Sequence, residues 1–191
     1  MLLLFIMMGF TSMSFFDLGS FGYSQRQKEF KIKERQFNDL KIKVRHQSAD
    51  EILEKHKDIE SMDRKERKEL LDSYRSYSHY QLCMENAGGS GMLKKMAADP
   101  SEYQTLIQYL SFDLSKDLFL CTSQDTLKCS FTHFERNFDL APYIRVDVGF
   151  FEKDLENKLC AEESWSLQFN ADHFGIGPVK FAFDSEKLCK N

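Results

Sequence analysis

Four of the five cysteines lie in the last third of the chain, at Cys121, Cys129, Cys160 and Cys189. Grouped thiols can bind zinc, act as nucleophiles or form disulfides. Structural zinc sites usually separate paired ligands by roughly two to four residues. Here seven residues separate Cys121 from Cys129, and the chain has no CxxC or CxxH motif. A cysteine nucleophile also needs a histidine to generate its thiolate, and no cysteine stands in a recognisable motif of that kind, so the spacing favours disulfides.

Four cysteines can pair in three ways, and the sequence leaves all three open. We favour Cys121 with Cys129, on the two arms of one predicted hairpin, and Cys160 with Cys189, which would tie the C-terminal tail to the sheet. The chain-entropy model gives these bridges about 2.6 and about 3.6 kcal/mol of stability. The alternatives join Cys121 to Cys189 and Cys129 to Cys160, or Cys121 to Cys160 and Cys129 to Cys189. Cys83 is expected to be a buried small hydrophobe, with an intermolecular disulfide as the alternative.

Two pairs of histidine and carboxylate could supply general acid–base chemistry. His133 and Glu135 fall on the same face of a predicted strand, and Asp172 adjoins His173 shortly before Gly175. A small secreted hydrolase that uses either pair is therefore one hypothesis. Chance alone supplies such pairs in a chain with 30 carboxylates, so the sequence assigns no catalytic residue, cofactor or metal.

The first 16 residues, MLLLFIMMGFTSMSFF, carry no charge. Their apolar run has the length of a signal-peptide core and is shorter than the ~20 residues that a membrane-spanning helix needs. Ser12 and Ser14 form a small-x-small pattern that predicts cleavage after Ser14, although the usual Lys or Arg near the start is missing. The sequence predicts export, and it leaves open a short uncleaved anchor or a buried segment of a cytosolic protein.

A basic stretch follows, between Ser24 and His46. It contains three carboxylates and eight cations: Arg26, Lys28, Lys31, Lys33, Arg35, Lys41, Lys43 and Arg45. These cations could contact anionic headgroups at a membrane surface, or they could form a solvated face. The chain from Pro100 onward is acidic, so a nucleic acid would be repelled over much of the surface and is not expected as a partner.

Within the basic stretch, two runs alternate apolar and cationic residues around Asn38 and Asp39. This pattern predicts a basic two-stranded hairpin. A helix is the alternative, because Phe30, Phe37 and Val44 also recur every seven residues.

Capping signals predict the helices that follow. Ser48 and Glu51 form a capping box, which places the start of a helix at Ala49. Asp63, or Ser61 before it, begins a second helix that is expected to reach about Glu85. Three tyrosines at helical spacing are expected to lie in the core, although a ligand-stacking strip is the alternative: Tyr74, Tyr77 and Tyr80.

A Gly-rich break over residues 86–91 ends this helix and predicts a flexible connector, since Lys94 and Lys95 do not complete a phosphate-binding GxxxxGK[ST] motif. Asp99 then caps a third helix that starts at Pro100. From Asp117 onward, apolar residues alternate with polar ones. This period predicts five strands in an antiparallel meander, at residues 118–122, 126–134, 144–150, 165–169 and 179–183.

Together these patterns predict an α+β protein. A mainly helical N-terminal half, with or without the basic hairpin at its start, is expected to pack on a C-terminal antiparallel sheet of about five strands held by two disulfides. The predicted segments are a signal peptide or short apolar anchor at 1–16, a charged and mainly helical segment at 17–98, and a capped helix with a disulfide-stapled β domain at 99–191.

The function that best agrees with these features is an exported, non-enzymatic interaction or structural component of an envelope, periplasmic or extracellular assembly, with a protein as its partner. The secreted hydrolase is one alternative. A secreted effector or inhibitor that binds another protein, for example through a loop at residues 154–163, is the other.

Overall fold

The structure, a computed structural model, describes residues 31–86, 91–138 and 140–189. The strands are β1 Ile32–Phe37, β2 Leu40–Gln47, β3 Tyr77–Asn86, β4 Leu118–Cys121, β5 Thr126–Lys128, β6 Phe131–Glu135, β7 Tyr143–Phe151, β8 Ser164–Asn170 and β9 Pro178–Asp184. The α-helices are α1 Ala49–Glu54, α2 Arg64–Arg75, α3 Met92–Met96, α4 Pro100–Gln108, α5 Leu155–Ala161 and α6 Ser185–Cys189. A π-helical turn, Tyr109–Asp113, and a 3-10 turn, Leu114–Asp117, extend α4, and a second 3-10 turn covers Asp172–Phe174.

Two antiparallel sheets pack face to face. Sheet A has the strand order β1-β2-β3-β7-β6, and sheet B has the order β5-β4-β8-β9. Their inner faces form one hydrophobic core, in which the ring of Tyr80 on β3 lies 5.5 Å from that of Phe183 on β9. Helix α4 and its extension add Leu106, Leu110 and Leu114 to this core. Burial of apolar side chains such as these is the main favourable contribution to folding.

The N-terminal half supplies three strands of sheet A, so the predicted helical N-terminal half is wrong. The prediction of a single sheet of about five strands is also wrong, because the described residues form nine strands in two sheets. In place of helices, each sheet covers the inner face of the other. The sheets are antiparallel, as expected, and the strands predicted at 118–122, 144–150, 165–169 and 179–183 correspond to β4, β7, β8 and β9.

Strand β3 explains why the second predicted helix is too long. Helix α2 ends at Arg75, and residues 77–86 form the strand between β2 and β7. Tyr80, Leu82 and Met84 face the core while Gln81 and Cys83 face outward, so burial follows a period of two. Pairing on both sides at the centre of a sheet stabilises the strand more than local helix propensity stabilises a helix. Tyr74 therefore lies on a helix, and Tyr77 and Tyr80 lie on opposite faces of a strand.

Local signals at the other element boundaries are confirmed. Strands β1 and β2 form the predicted hairpin, with Phe37 paired to Leu40 around the turn. Asn38 there adopts a positive φ of 48°, which Asn tolerates better than most residues. The Oγ of Ser48 accepts from the backbone N–H of Glu51 at 3.4 Å, but the predicted capping box is only half formed in the described residues, because the Glu51 carboxylate bonds Lys31 and Arg45 instead. Asp63 and Glu66 form a full capping box, and Asp99 caps the helix that begins at Pro100.

The strand predicted at 126–134 is divided between the two sheets. Strand β5 pairs with β4 in sheet B, whereas β6 pairs with β7 in sheet A. The chain changes sheets at Cys129 and Ser130, whose backbone N–H groups donate to Leu118 of β4 and to Gly149 of β7. These two residues therefore connect the sheets along the chain.

Some predictions fall on residues outside the described part: the leader at 1–16, Arg26, Lys28, and residues 87–90 of the Gly-rich break. Within residues 31–86, 91–138 and 140–189, no helix combines the length and the apolar character that crossing a membrane requires.

Candidate binding cavity

An open cavity of about 890 Å³, the end cavity, lies at one end of the two sheets. Two chain connections form its walls. The connection from β2 to β3 contributes α1 and α2, and the connection from β7 to β8 contributes α5. Its lining includes His46 at the end of β2, Trp165 at the start of β8, and both cysteines of the disulfide described below.

The lining of the end cavity is strongly acidic. Two cations, Lys31 and Arg75, line it together with six carboxylates: Asp50, Glu51, Glu54, Asp72, Asp154 and Glu156. Lys31 and Arg45 both pair with Glu51, at 2.7 and 3.3 Å. Burial opposes ionisation of Glu51, but these two cations outweigh it, so the pKa of Glu51 is lowered. Glu51 thus joins α1 to β2 and to Lys31, the residue that precedes β1.

The pKa of Glu156, in contrast to that of Glu51, is raised. Its carboxylate lies 3.6 Å from the guanidinium of Arg75, which is also 3.8 Å from Asp72. Burial raises the pKa of Glu156, Arg75 lowers it, and the negative charge of Asp50 raises it again, with a net rise. Burial together with the charge of Asp50 on α1 therefore outweighs the pairing of Glu156 with Arg75.

The floor of the end cavity rests on a buried hydrogen-bond network. The indole N–H of Trp165 donates to the hydroxyl of Tyr80 at 2.6 Å, and Ser78 also donates to this hydroxyl at 3.0 Å. Trp165 is 3% exposed and Tyr80 is 0% exposed. The imidazole of His46 packs edge-on against both rings, and its buried Nδ1 has no hydrogen-bond partner among the described residues. This network connects sheet A to sheet B directly beneath the cavity.

A Tyr80→Phe variant is expected to lower the free energy of unfolding by about 2 kcal/mol, because the buried indole N–H of Trp165 loses its acceptor. Urea unfolding followed by the fluorescence of Trp165, the only tryptophan, measures this change. Ser78→Ala is the matched control. It removes a second donor but leaves the acceptor of Trp165 in place, so its effect should be smaller; an equal effect of both variants would contradict this assignment.

The cysteines form one disulfide in the described residues, not two. Cys160 of α5 is bonded to Cys189 of α6, as predicted, whereas Cys121 and Cys129 are free thiols. The strand register explains the error. Cys121 is paired with Thr126, and Cys129 lies beside Leu118, which places it about 10 Å further along β4. A disulfide requires Cα atoms within about 7 Å of each other.

The remaining cysteine, Cys83, lies on the outer face of sheet A, half-buried between Lys43 on β2 and Arg145 on β7. Burial, and then the charge of Glu85, raise the pKa of its thiol. Burial also raises the pKa of Cys129, to about 11. Both thiols are therefore protonated at neutral pH and are poor nucleophiles.

The two histidine–carboxylate pairs lie outside the end cavity. His133 and Glu135 share the outer face of β6, as predicted, and the carboxylate of Glu135 is paired with Arg145 at 3.0 Å. Asp172 and His173 lie in the connection between β8 and β9, where the centroid of the imidazole lies 3.8 Å from that of the Tyr109 ring, with the two rings tilted by 30°. Each pair thus occupies an exposed position on a different sheet.

Several cations of the predicted basic stretch are paired within the fold. Besides Lys31 and Arg45 on Glu51, Lys43 pairs with Glu85 at 2.7 Å. The other described cations of the stretch form no ion pair with described residues: Lys33, Arg35 and Lys41. Contact between these side chains and a membrane surface stays a prediction.

Exposed apolar side chains concentrate on the β6–β7 hairpin. Phe138 and Leu140 in its loop are 71% and 84% exposed, and Phe131 and Phe151 at its other end are 38% and 53% exposed. The ring of Phe131 covers Gly149, where an added Cβ would lie 1.9 Å from a ring carbon, so this packing requires glycine. The guanidinium of Arg136 lies 5.6 Å above the Phe138 ring. We call Phe138 and Leu140 the hairpin tip.

The comparisons with known proteins do not identify a family. No protein-family model matches the chain, and no curated protein matches it. A crystal structure of a protein of unknown function from Burkholderia pseudomallei is similar at 12% identity, with 88% of this chain and 86% of that chain covered and a TM-score of 0.41. A DUF4426 family protein from Pseudomonas aeruginosa is similar at 7% identity, with 81% and 92% covered and a TM-score of 0.36.

The sequence patterns indicate neither the end cavity nor the hairpin tip. The acidic residues of the cavity come from three helices and one loop, which only the fold brings together. The segment at 154–163, expected as a loop, forms α5 and part of the cavity wall. Within the described residues, no group of three or more His, Cys, Asp or Glu side chains is placed to hold a metal ion.

Proposed function

We propose that the protein is an exported, non-enzymatic interaction component that binds a partner protein through the hairpin tip. The observation that carries this proposal is the exposure of Phe138 and Leu140. The two residues are two positions apart in one loop, and large apolar side chains exposed close together in the sequence of a loop can mark a protein-binding surface. The apolar leader and the Cys160–Cys189 disulfide support export, because disulfides form and persist in oxidising compartments.

The chemistry of the tip indicates the kind of surface that fits it. Two apolar side chains form its centre, and Arg136 stands beside them with no carboxylate within 4 Å among the described residues. A matching partner surface is apolar at its centre and carries a carboxylate at its rim, where it meets this guanidinium.

A double variant, Phe138→Ser with Leu140→Ser, is expected to weaken binding of the partner at least about tenfold. The free energy of unfolding should change by about 0.5 kcal/mol or less, because neither side chain is buried. Phe112→Ser is the matched control, since this ring is 75% exposed but lies outside the hairpin. The partner is identified first with a photo-crosslinking residue at position 138 in the exporting cells, and binding is then measured with both purified proteins.

Two results would contradict the proposal. In the first, the adduct at position 138 is a second copy of this chain, or the double variant binds the purified partner as tightly as the natural protein does. In the second, N-terminal sequencing of the recovered protein finds Met1 retained, and non-reducing peptide mapping finds all thiols free, which together contradict export.

A further inference from the structure

Strand β9 is an open edge of sheet B. It pairs with β8 on one side, and no described strand pairs with its other side. An edge strand presents a row of unpaired backbone N–H and C=O groups, to which an extended segment of another chain can bind as an additional strand. Proteins commonly protect such edges by keeping the strand short, by pointing charges inward or by covering the edge.

The other three edges of the two sheets differ from β9. Strand β5 has three residues, and β6 has five and contacts the two turns that extend α4. Strand β1 points two cations, Lys33 and Arg35, to the inside of the sandwich, because they are paired with the buried Val44 and Ile42. Strand β9 has seven residues, and its inward positions are all apolar: Val179, Phe181 and Phe183.

The register shows which backbone groups of β9 face the open side. Just before and just after the strand, the N–H of Ala171 donates to Gly177 and the N–H of Ser185 donates to Glu163. Hydrogen-bonded pairs alternate with non-bonded pairs along an antiparallel ladder, so the odd-numbered residues of β9 bond to β8. The even-numbered residues therefore direct their N–H and C=O groups away from β8. Two of these residues lie at the centre of the edge: Lys180 and Ala182.

An open groove of about 740 Å³, the edge groove, lies along the end of β9. Residues 182–184 of β9 line it together with Lys33 of β1. At the other end of β1, Phe37 lines a smaller cavity with residues 174–176, which precede β9. Strand β1 therefore runs beside β9 in the opposite direction, and Arg35 lies between these two points. No described backbone ladder joins β1 to β9, so β1 does not satisfy the edge of β9.

Cations flank this edge from both sheets. Lys33 and Arg35 of β1 form no ion pair with described residues, and neither does Lys180, whose side chain is exposed on the outer face of sheet B. A strand that carries carboxylates beside residues 178–181 would therefore be attracted to charges that the described residues leave unpaired. Carboxylates line the edge groove at its α6 end: Glu162, Glu163, Asp184 and Glu186.

We infer that β9 binds an extended, acidic segment of a partner protein, which adds a fifth strand to sheet B. The backbone of this segment pairs with Lys180 and Ala182, and its carboxylates lie near Lys180 and Arg35. A second copy of this chain fits the edge less well, because antiparallel pairing of β9 with itself would bring the cations of both copies together. The site uses none of the hairpin-tip residues, so it stands or falls separately from the proposed function.

Hydrogen exchange of the full disulfide-bonded protein, followed by NMR, tests the open edge without a ligand. The amides of Lys180 and Ala182 are expected to exchange fast, whereas those of Phe181 and Phe183 exchange slowly because they bond to β8. If the amides of Lys180 and Ala182 are already protected in the monomeric protein, another part of the chain covers the edge and the inference is wrong.

Binding is measured by calorimetry and NMR with a probe peptide, acetyl-Thr-Glu-Val-Glu-Val-Glu-Thr-amide. We expect one site, weaker binding as salt rises, and slower exchange of the Lys180 and Ala182 amides. One control peptide has lysine in place of each glutamate. The other keeps the charges but is methylated on the backbone nitrogens of its three central residues, so that neither of its edges can pair. Each control should bind at least about tenfold more weakly; equal binding of either one, or no binding of the acidic peptide at low salt, would overturn the inference.

Variants test the assigned residues. Ala182→Pro removes an N–H that faces the open side but no bond to β8, and Lys180→Glu reverses a flanking charge, so each should weaken peptide binding about tenfold. Lys128→Glu, on the opposite edge strand β5, is the matched control and should leave binding unchanged. Full affinity in both β9 variants would contradict the inference, as would a dimer in sedimentation that Ala182→Pro dissociates, since a second copy would then occupy the edge. Unfolding curves of each variant confirm that the fold is retained.

Discussion

Loss of the Cys160–Cys189 disulfide is expected to lower the free energy of unfolding by about 3.6 kcal/mol. The bond joins positions 29 residues apart, so in the unfolded chain it removes much of the freedom of the loop between them. That loop contains β8 and β9, which provide half of sheet B. An effect of this size is a large fraction of the stability of an ordinary domain, which is about 5 to 15 kcal/mol.

The measurement is urea unfolding of the Cys160→Ala, Cys189→Ala double variant, monitored by Trp165 fluorescence without reductant. Cys121→Ala is the matched control, because it removes a free thiol. Reductant should destabilise the natural protein and the control alike, and it should leave the double variant unaffected. Equal midpoints for the double variant and the natural protein would show that the bond does not stabilise the fold.

Acidification from pH 8 to pH 5 is expected to destabilise the protein by about 2 kcal/mol for each of two histidines, His46 and His79. Burial lowers the pKa of both to about 4. Lys31 lowers that of His46 further while Glu51 raises it, and Asp147 raises that of His79. The buried Nδ1 of His46 and Nε2 of His79 also have no hydrogen-bond partner among the described residues, so neither imidazole has a ready acceptor for an added proton.

The direction of the change in stability follows from the difference in histidine pKa between the folded and the unfolded state. In the unfolded chain these imidazoles take up protons near pH 6.5, whereas in the folded protein they stay neutral until about pH 4. Stability is therefore full above pH 6.5 and is lost as the pH falls toward 4, because the unfolded state binds more protons in this range.

The measurement is the free energy of unfolding at several pH values for His46→Asn and His79→Asn variants. The free energy of unfolding of each variant is expected to change less with pH than that of the natural protein, even if the variant is more or less stable at pH 8. His133→Gln is the control, because His133 is exposed on the outer face of sheet A. If both buried-site variants keep the full dependence, the acid sensitivity comes from other groups.

Features encoded within a few residues could be predicted from the sequence. The caps at Ser48, Asp63 and Asp99 satisfy backbone N–H groups of their own helices, so their signal needs no tertiary structure. The β1–β2 hairpin and the strands after Asp117 show a clear alternation, because one face of each is buried. The Cys160–Cys189 bond was among the predicted pairings, and the fold brings the two residues together at the ends of α5 and α6.

Features that depend on distant pairing could not be predicted in the same way. Strand β3 follows α2 after a single residue, and its tyrosines continue the helical spacing, so only pairing with β2 and β7 reveals it as a strand. The Cys121–Cys129 prediction failed because a hairpin's register depends on its turn, and here Cys121 is paired with Thr126. The end cavity combines residues from connections that lie far apart in the sequence.

The position of β3 also determines when the protein can fold. Strand β3 must pair with Phe151 at the far end of β7, and sheet B is complete only when β9 pairs with β8 as far as Asp184. Such long-range pairing loses much chain entropy before it gains contacts, which slows folding to roughly the millisecond-to-second range of β-rich domains. A nascent chain that has emerged only as far as β3 cannot yet form sheet A. Both sheets are therefore completed only after almost the whole chain is available for pairing.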